Sequence, residues 1–385
     1  MTKTDQNSRK IGVQCLYYDV RLLFPVLFLV GIGIVMVYSA SSALALKKFG
    51  SEYYFLKKQL LSALLGIVAL IICSRFPYRF FRSLTYPLLI LALIFLAAIL
   101  VTGLGYSAGG AKRWFRLGNF SFQPSEFARF ALIIYLSYSM NKKKDVLKNF
   151  YVGFLPHIMM LFMFTVLIIF QPDFGSVVIL GVLTWIMLFV GGVRLSYLMA
   201  SLVLILPSAY FFMISADYRL KRITSFLDPW QHSTNDGYQI VHSLMAFGTG
   251  GIWGAGIGNG YQKLFYLPEP HTDFIFSVIG EELGLWGVLI ILGLYILILW
   301  RGISIASNCG ESFGSFLSIG LTTAIGLQVC VNMGVALGLL PTKGLTLPFL
   351  SYGGTSLLLN MAYIGILMNI GTAKKVLKKP KSSKT

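Results

Sequence analysis

Residues 274–300 read FIFSVIGEELGLWGVLIILGLYILILW, and the second half of this stretch decides which solvent the chain lives in. From Leu283 to Trp300 no side chain carries a charge. A helix rises about 1.5 Å per residue, so a run of about 20 apolar residues crosses a hydrocarbon core of about 30 Å. Working outward, comparable runs lie near 22–43, 59–74, 84–103, 126–140, 152–170, 174–192, 195–214, 313–338 and 351–371, the second and fourth being short. The sequence therefore predicts an all-α polytopic membrane protein of about ten transmembrane helices, with a large extracytoplasmic loop, 215–273, between spans seven and eight. A membrane domain over 22–373 is flanked by tails at 1–21 and 374–385. The first run follows a basic start and precedes Ala43-Leu44-Ala45, a superficial signal-peptide pattern, but its apolar part is longer than a signal core.

Composition agrees: 56% of residues are hydrophobic and only 12% are charged, against about 25% charged in soluble domains. The net charge of +18 would point to nucleic acid in a soluble protein. Here the lysines and arginines sit in short connections and tails, next to anionic headgroups, so the partner is the membrane. With ten spans both termini share a side, and that side holds Arg75, Arg79, Arg82, Lys142 to Lys144, Arg194, Arg301 and both basic tails. The excess of positive charge there predicts cytoplasmic termini. Cys15, Cys73, Cys309 and Cys330 show no paired spacing, so neither a disulfide framework nor a thiolate metal site is expected.

The opposite, outer side holds the unusual residues. Asp273 follows Pro268 and Pro270 and opens the 274–300 span, with Glu269, His271 and Thr272 within four residues. Two roles are open to it: a helix N-cap, or a carboxylate that takes a proton from a substrate hydroxyl. Glu269, His271 and Asp273 could also hold magnesium or manganese, which favour oxygen-rich sites. Deeper in the same span, Glu281 and Glu282 are costly in apolar surroundings and call for a partner or a wet cavity, with Arg129 the candidate partner. In the large loop, eight glycines between 237 and 260 suit either a phosphate cradle or a tightly packed turn, and Tyr238 to Phe247 suits a surface helix. At 110–129, GAKRWFRLGNFSFQPSEFAR interleaves Lys112, Arg113 and Arg116 with Trp114 and Phe115. This is either an interfacial aromatic belt or a patch for an anionic amphiphile. At 338–356, GLLPTKGLTLPFLSYGGTS is irregular near membrane depth, which is tolerated where it walls a cavity. Lys343 is placed there to meet phosphate.

Read in order, five of these stretches resemble the SEDS family of membrane-embedded peptidoglycan glycosyltransferases: GAKRWFRLGNFSFQPSEFAR, QPDFGS at 171–176, DPW at 228–230, LPEPHTDFIFSVIGEELG at 267–284 and LLPTKGLTLPFLSYGGTS at 339–356. PTKGLTLPFLSYGG looks nearer the division branch than the elongation branch. The resemblance implies a ten-span fold with its site facing outward, Asp273 as the essential aspartate and Trp114 as a tryptophan required for activity. Lys112, Arg113, Arg116, Glu269, His271, Lys343, Ser351 and Gly353 are carried over as walls of the substrate site. FGTGGIWGAGIGNG at 247–260 departs from the family pattern, which has a more polar, often arginine-containing start in many division members. The implied reaction joins lipid II units with release of undecaprenyl diphosphate. It needs no nucleotide, because the donor is already activated, and no organic cofactor; magnesium or manganese would assist. Implied partners are lipid II, the undecaprenyl diphosphate-linked glycan, a class B penicillin-binding protein that crosslinks, and other division proteins. The implied location is the cytoplasmic (inner) membrane at the septum. A lipid II flippase and a non-catalytic division scaffold are the rival readings.

Overall fold

A computed structural model describes residues 19–101, 105–108, 111–117, 120–214, 224–233, 237–264 and 267–377. The tails outside 19–377, Cys15 among them, and Arg219, Lys221 and Arg222 lie outside the described residues. In chain order the helices are α1 (Val20–Phe49), α2 (Tyr54–Arg75), α3 (Thr85–Val101), α4 (Pro124–Lys142), α5 (Leu155–Ile169), α6 (Phe174–Gly191), α7 (Leu195–Ile214), α8 (Tyr238–Gly250), α9 (Ile275–Asn308), α10 (Ser312–Ala336) and α11 (Gly354–Leu377). Seven of these, with α5 extended by the π turn Phe150–Phe154, are long and apolar enough to cross a bilayer by themselves, and α3 and α7 are shorter apolar helices. α4 is the tenth, made more polar by Glu126 and Arg129. The ten predicted runs are thus ten helices in the predicted order, with α8 as the predicted surface helix.

Burial sorts the bundle into a centre and a rim. α4 is buried on nearly every face and α11 over most of its length, whereas α2 presents a wide apolar face outward. A helix apolar all round belongs inside, and here that includes helices with buried polar groups, which need partners from neighbours. α11 packs along α2, α10 lies between α9 and α4, and α1 packs on α9.

The two ends of the bundle are distinct. At one, Arg301 donates to Asp19 (2.7 Å), Arg79 pairs with Glu311 (2.9 Å) and Lys144 donates to Ser312 (3.2 Å). At the other, Tyr352 N–H donates to the His271 carbonyl (2.9 Å) and the Thr355 hydroxyl to the Ser121 carbonyl (2.7 Å). Asp273 and the 338–353 segment share this second end, opposite the N-terminal start of α1.

One small sheet accompanies the helices. Residues 105–122 form a three-stranded antiparallel sheet, β1 (Gly105–Ala108), β2 (Ala111–Leu117) and β3 (Phe120–Phe122), in the order β1-β2-β3. Tyr106 pairs with Trp114, and Phe115 with Phe122. Phe122 packs its ring against Phe95 of α3 and Phe127 of α4 (5.3 and 6.1 Å between centroids), so the sheet is pinned to the bundle end.

α9 is two helices, not one. At Gly284 the backbone turns to φ 63°, ψ −163°, a region essentially restricted to glycine. A Cβ at Gly284 would lie 2.4 Å from the Gly254 nitrogen, and one at Gly250 would lie 2.0 Å from the Gly280 carbonyl oxygen. The short first piece of α9 is therefore clasped by α8 and the glycine-rich turn at backbone contact. We expect Gly284→Ala to lose about 1–3 kcal/mol from backbone conformation alone, and more from the clash. Thermal unfolding of the purified variant in detergent measures this; an unchanged midpoint would contradict the clasp.

Candidate active site at the Asp273 end of the bundle

Asp273 lies two residues before α9. The N-cap position falls instead on Phe274, whose side chain makes no cap, so the capping role is not the one this aspartate plays. Its carboxylate faces Gly344, where a Cβ would sit 3.0 Å from Oδ2. Burial and then the neighbouring Glu269 carboxylate push Asp273 up to about 7, against the opposing pull of Arg113 and a hydrogen bond with Thr272. A carboxyl poised there changes its charge near neutral pH, which suits a group that takes a proton at the working pH.

The sheet and the α5–α6 turn bring cations and a second carboxylate to the same place. From β2, Arg113 donates to the Gln171 carbonyl (3.3 Å) and the Pro172 carbonyl, and lies 3.8 Å from Asp173 Oδ1. Asp173 is buried and caps α6, accepting from the Ser176 hydroxyl (2.7 Å) and backbone N–H (3.3 Å), and from Ser125 (3.4 Å). Lys343 is lowered by burial while Asp173 draws it the other way. Arg113, Lys343, Asp173 and Asp273 thus form one electrostatic cluster. Trp114, half-buried on β2, stands next to Arg113. Lys112 and Arg116 belong to the same strand, but their side chains lie outside the described set.

Other predicted residues are used differently. His271 is buried, its ring 4.5 Å from Phe55 and 5.6 Å from Tyr352, and burial holds it neutral, down to about 4. Glu269 is exposed at φ 49°, and its Oε2 stands 4.0 Å from His271 Nε2, beyond hydrogen-bond distance. Among the described residues no three His, Cys, Asp or Glu side chains meet as metal ligands, so Glu269, His271 and Asp273 do not form a three-ligand site. Ser351 accepts the Leu347 N–H (2.7 Å), and a Cβ on Gly353 would lie 3.1 Å from Thr346 Cγ2. Both shape the 338–353 segment from inside.

Glu281 and Glu282 are paired, but not with Arg129. Lys263 Nζ donates to Glu282 Oε1 (2.7 Å), Ser39 donates to the same carboxylate (2.7 Å), and so does the Gly258 N–H (3.1 Å). Glu281 accepts the N–H groups of Tyr261 (2.7 Å) and Gln262 (3.2 Å). In the glycine-rich turn the N–H groups of Gly251, Gly254, Ala255, Gly256 and Asn259 go to backbone carbonyls and that of Gly258 to the Glu282 carboxylate, which leaves the phosphate-cradle reading without support. Arg129 pairs instead with Glu126 one turn away (3.5 Å) and donates to Gln328 (2.9 Å). Gln328 in turn donates to the Thr346 carbonyl (2.9 Å) and to Ser356 (3.1 Å). This polar network lies under the 338–353 segment and holds it. Sequence reasoning passed over Asp173 as a site residue although it lies inside QPDFGS, and it had no signal for Lys263 as the partner of Glu282.

A family model described as a cell cycle protein, FTSW_RODA_SPOVE, matches residues 20–376. The chain is 46% identical over 358 residues to a probable peptidoglycan glycosyltransferase FtsW of Geobacter metallireducens, covering 93% of this chain and 96% of that one. It is 40% identical over 352 residues to the stage V sporulation protein E of Bacillus subtilis, covering 91% and 96%. Among solved structures, a chain from a study of how a peptidoglycan synthase complex coordinates polymerization and crosslinking superposes with a TM-score of 0.77 at 31% identity, covering 93% of this chain and 99% of that one. The rod shape determining protein RodA of Thermus thermophilus gives 0.70 at 28% identity, covering 94% and 98%.

Proposed function

Because this chain belongs to the FtsW/RodA/SpoVE family and is a peptidoglycan glycosyltransferase embedded in the membrane, we propose that it polymerises lipid II into glycan strands with Asp273 as general base. The observation that carries the reading is the Asp273 carboxylate itself, enclosed against Gly344 and poised to change charge near pH 7, with Arg113 close by. A sugar hydroxyl is a poor nucleophile at neutral pH, and a carboxylate within hydrogen-bond reach takes its proton as the bond to the anomeric carbon forms. The departing undecaprenyl diphosphate gathers negative charge, which Arg113 and Lys343 are placed to meet. The polyprenyl tails run in apolar grooves between helices while the headgroups stay at the bundle end.

Two readouts test this on labelled lipid II, using the purified protein with its transpeptidase. Wild type should make glycan strands without added nucleotide. A base that must be ionised gives a rate that falls as pH drops through about 7. A rate that stays level from about pH 5.5 to 8 would remove Asp273 as the base. The flippase reading draws on the break in α9, but transporters of the inverted-repeat kind use such breaks in pairs. Translocation of lipid II in vesicles without polymer would favour it.

The resemblance of the fold to a chain from a peptidoglycan synthase complex supports a separate class B penicillin-binding protein as the crosslinking partner. Co-purification in mild detergent tests that partnership. The division septum as location, cytoplasmic termini and contact with other division proteins complete the proposal.

A further inference from the structure

One buried side chain holds the two halves of the site at a fixed separation. Asn332 lies in α10, only 2% exposed. Its Nδ2 donates both hydrogens to backbone carbonyls of two different segments, Asp273 (2.9 Å) and Leu345 (2.6 Å). Its Oδ1 is buried without a partner. That orphan oxygen shows what fixes the amide: turning it over would aim Oδ1 at two carbonyl oxygens, repulsion in place of two hydrogen bonds. One turn earlier on the same helix, Gln328 grips the next carbonyl along, that of Thr346 (2.9 Å). Successive carbonyls of the 341–350 segment are thus hung on two amides at i and i+4, which share a helix face. Only the Asn332 amide also reaches the Asp273 backbone. Next to these two acceptors Gly344 stands against the Asp273 carboxylate, where a Cβ would fall 3.0 Å from Oδ2.

We propose that Asn332 is a positioning residue for the glycosyl transfer, setting the distance between the Asp273 carboxylate and the Lys343–Leu345 backbone. The inference rests on Asp273 being the proton acceptor. It acts through the main chain and touches no substrate. A misplacement of about 1 Å in a reacting geometry costs on the order of 100-fold in rate, while the apolar grooves and the cations that bind substrate keep their places.

The test is steady-state polymerisation of lipid II by full-length Asn332→Leu and Asn332→Ala, each normalised to folded protein. Leucine fills nearly the same space without donors; alanine also removes bulk, and either suffices if the other fails to fold. The expected result is a kcat lower by about 10- to 100-fold with KM within about threefold of wild type. A folded variant that keeps kcat within about threefold overturns the proposal, as does a raised KM at unchanged kcat, or failure of both variants to fold, which would make Asn332 a scaffold residue. No polymer from wild type overturns the general-base reading as well, whereas active wild type beside an unaffected variant overturns only the role of Asn332.

Discussion

Asp273→Asn should lower lipid II polymerisation by about 100- to 10,000-fold, the range over which a positioned general base contributes, and should leave the protein folded. The stability half of this expectation separates chemistry from structure. In the folded state the carboxyl is raised to about 7, chiefly by burial, well above an unfolded aspartate near 4. A raised value means that folding favours the protonated form. The contribution to stability is full below about pH 4 and is lost as pH climbs through about 7. At pH 8 wild type carries a charge its surroundings disfavour, and the asparagine variant does not. Asp273→Asn should therefore melt a few degrees higher than wild type at pH 8, and the gap should shrink toward pH 5. Product assays and thermal unfolding at both pH values check the pair of outcomes. A scaffold or a flippase would tolerate the variant with its activity intact; a variant that melts lower at pH 8 would mean that the carboxylate is structural.

Lys263→Ala should be strongly destabilising. The ammonium and the Glu282 carboxylate are 2.7 Å apart, with side chains 7% and 0% exposed. Removing one member of a buried pair leaves an uncompensated charge, a loss of about 3–5 kcal/mol. Glu282 also accepts from Ser39 and from the Gly258 N–H, so replacing both ions with apolar groups would orphan those donors. Glu282→Gln added to Lys263→Ala keeps an acceptor without the charge and should recover a good part of the loss. Size-exclusion profiles after a heat step compare the three proteins. If Lys263→Ala elutes like wild type, the pair contributes nothing. The consequence reaches the chemistry, because this pair fastens the glycine-rich turn to the short piece of α9 that follows Asp273.

The helices were legible because each carries its own signal, an apolar run of membrane length bounded by charge or glycine. Asp273 was legible for the same reason, as an acid at the edge of such a run. The sheet is not legible, since an aromatic pair flanked by basic residues at 112–116 also describes an interfacial belt. Gly109-Gly110 and Gly118-Asn119, dipeptides of tight turns, bracket β2 and were the local clue. Side-chain partnerships were the least legible. Arg129 has two candidate acids in the sequence, and its partner is Glu126 one turn away; Lys263 gives no hint of its partner because the turn that carries it folds back on α9. Asn332 reads as one polar residue in a helix until the 341–350 segment is laid across it.

The break at Gly284 bears on how the enzyme tolerates its surroundings. An unbroken helix of the 34 residues of α9 would be about 51 Å long, far beyond the hydrocarbon thickness, and a straight rod of that length answers mismatch by tilting. With the break, the long piece is free to adjust to a thicker or thinner bilayer. The short piece beside Asp273 takes its bearing from α8 and the glycine-rich turn. The height of the carboxylate above the lipid is set by protein contacts, and mismatch is absorbed below it.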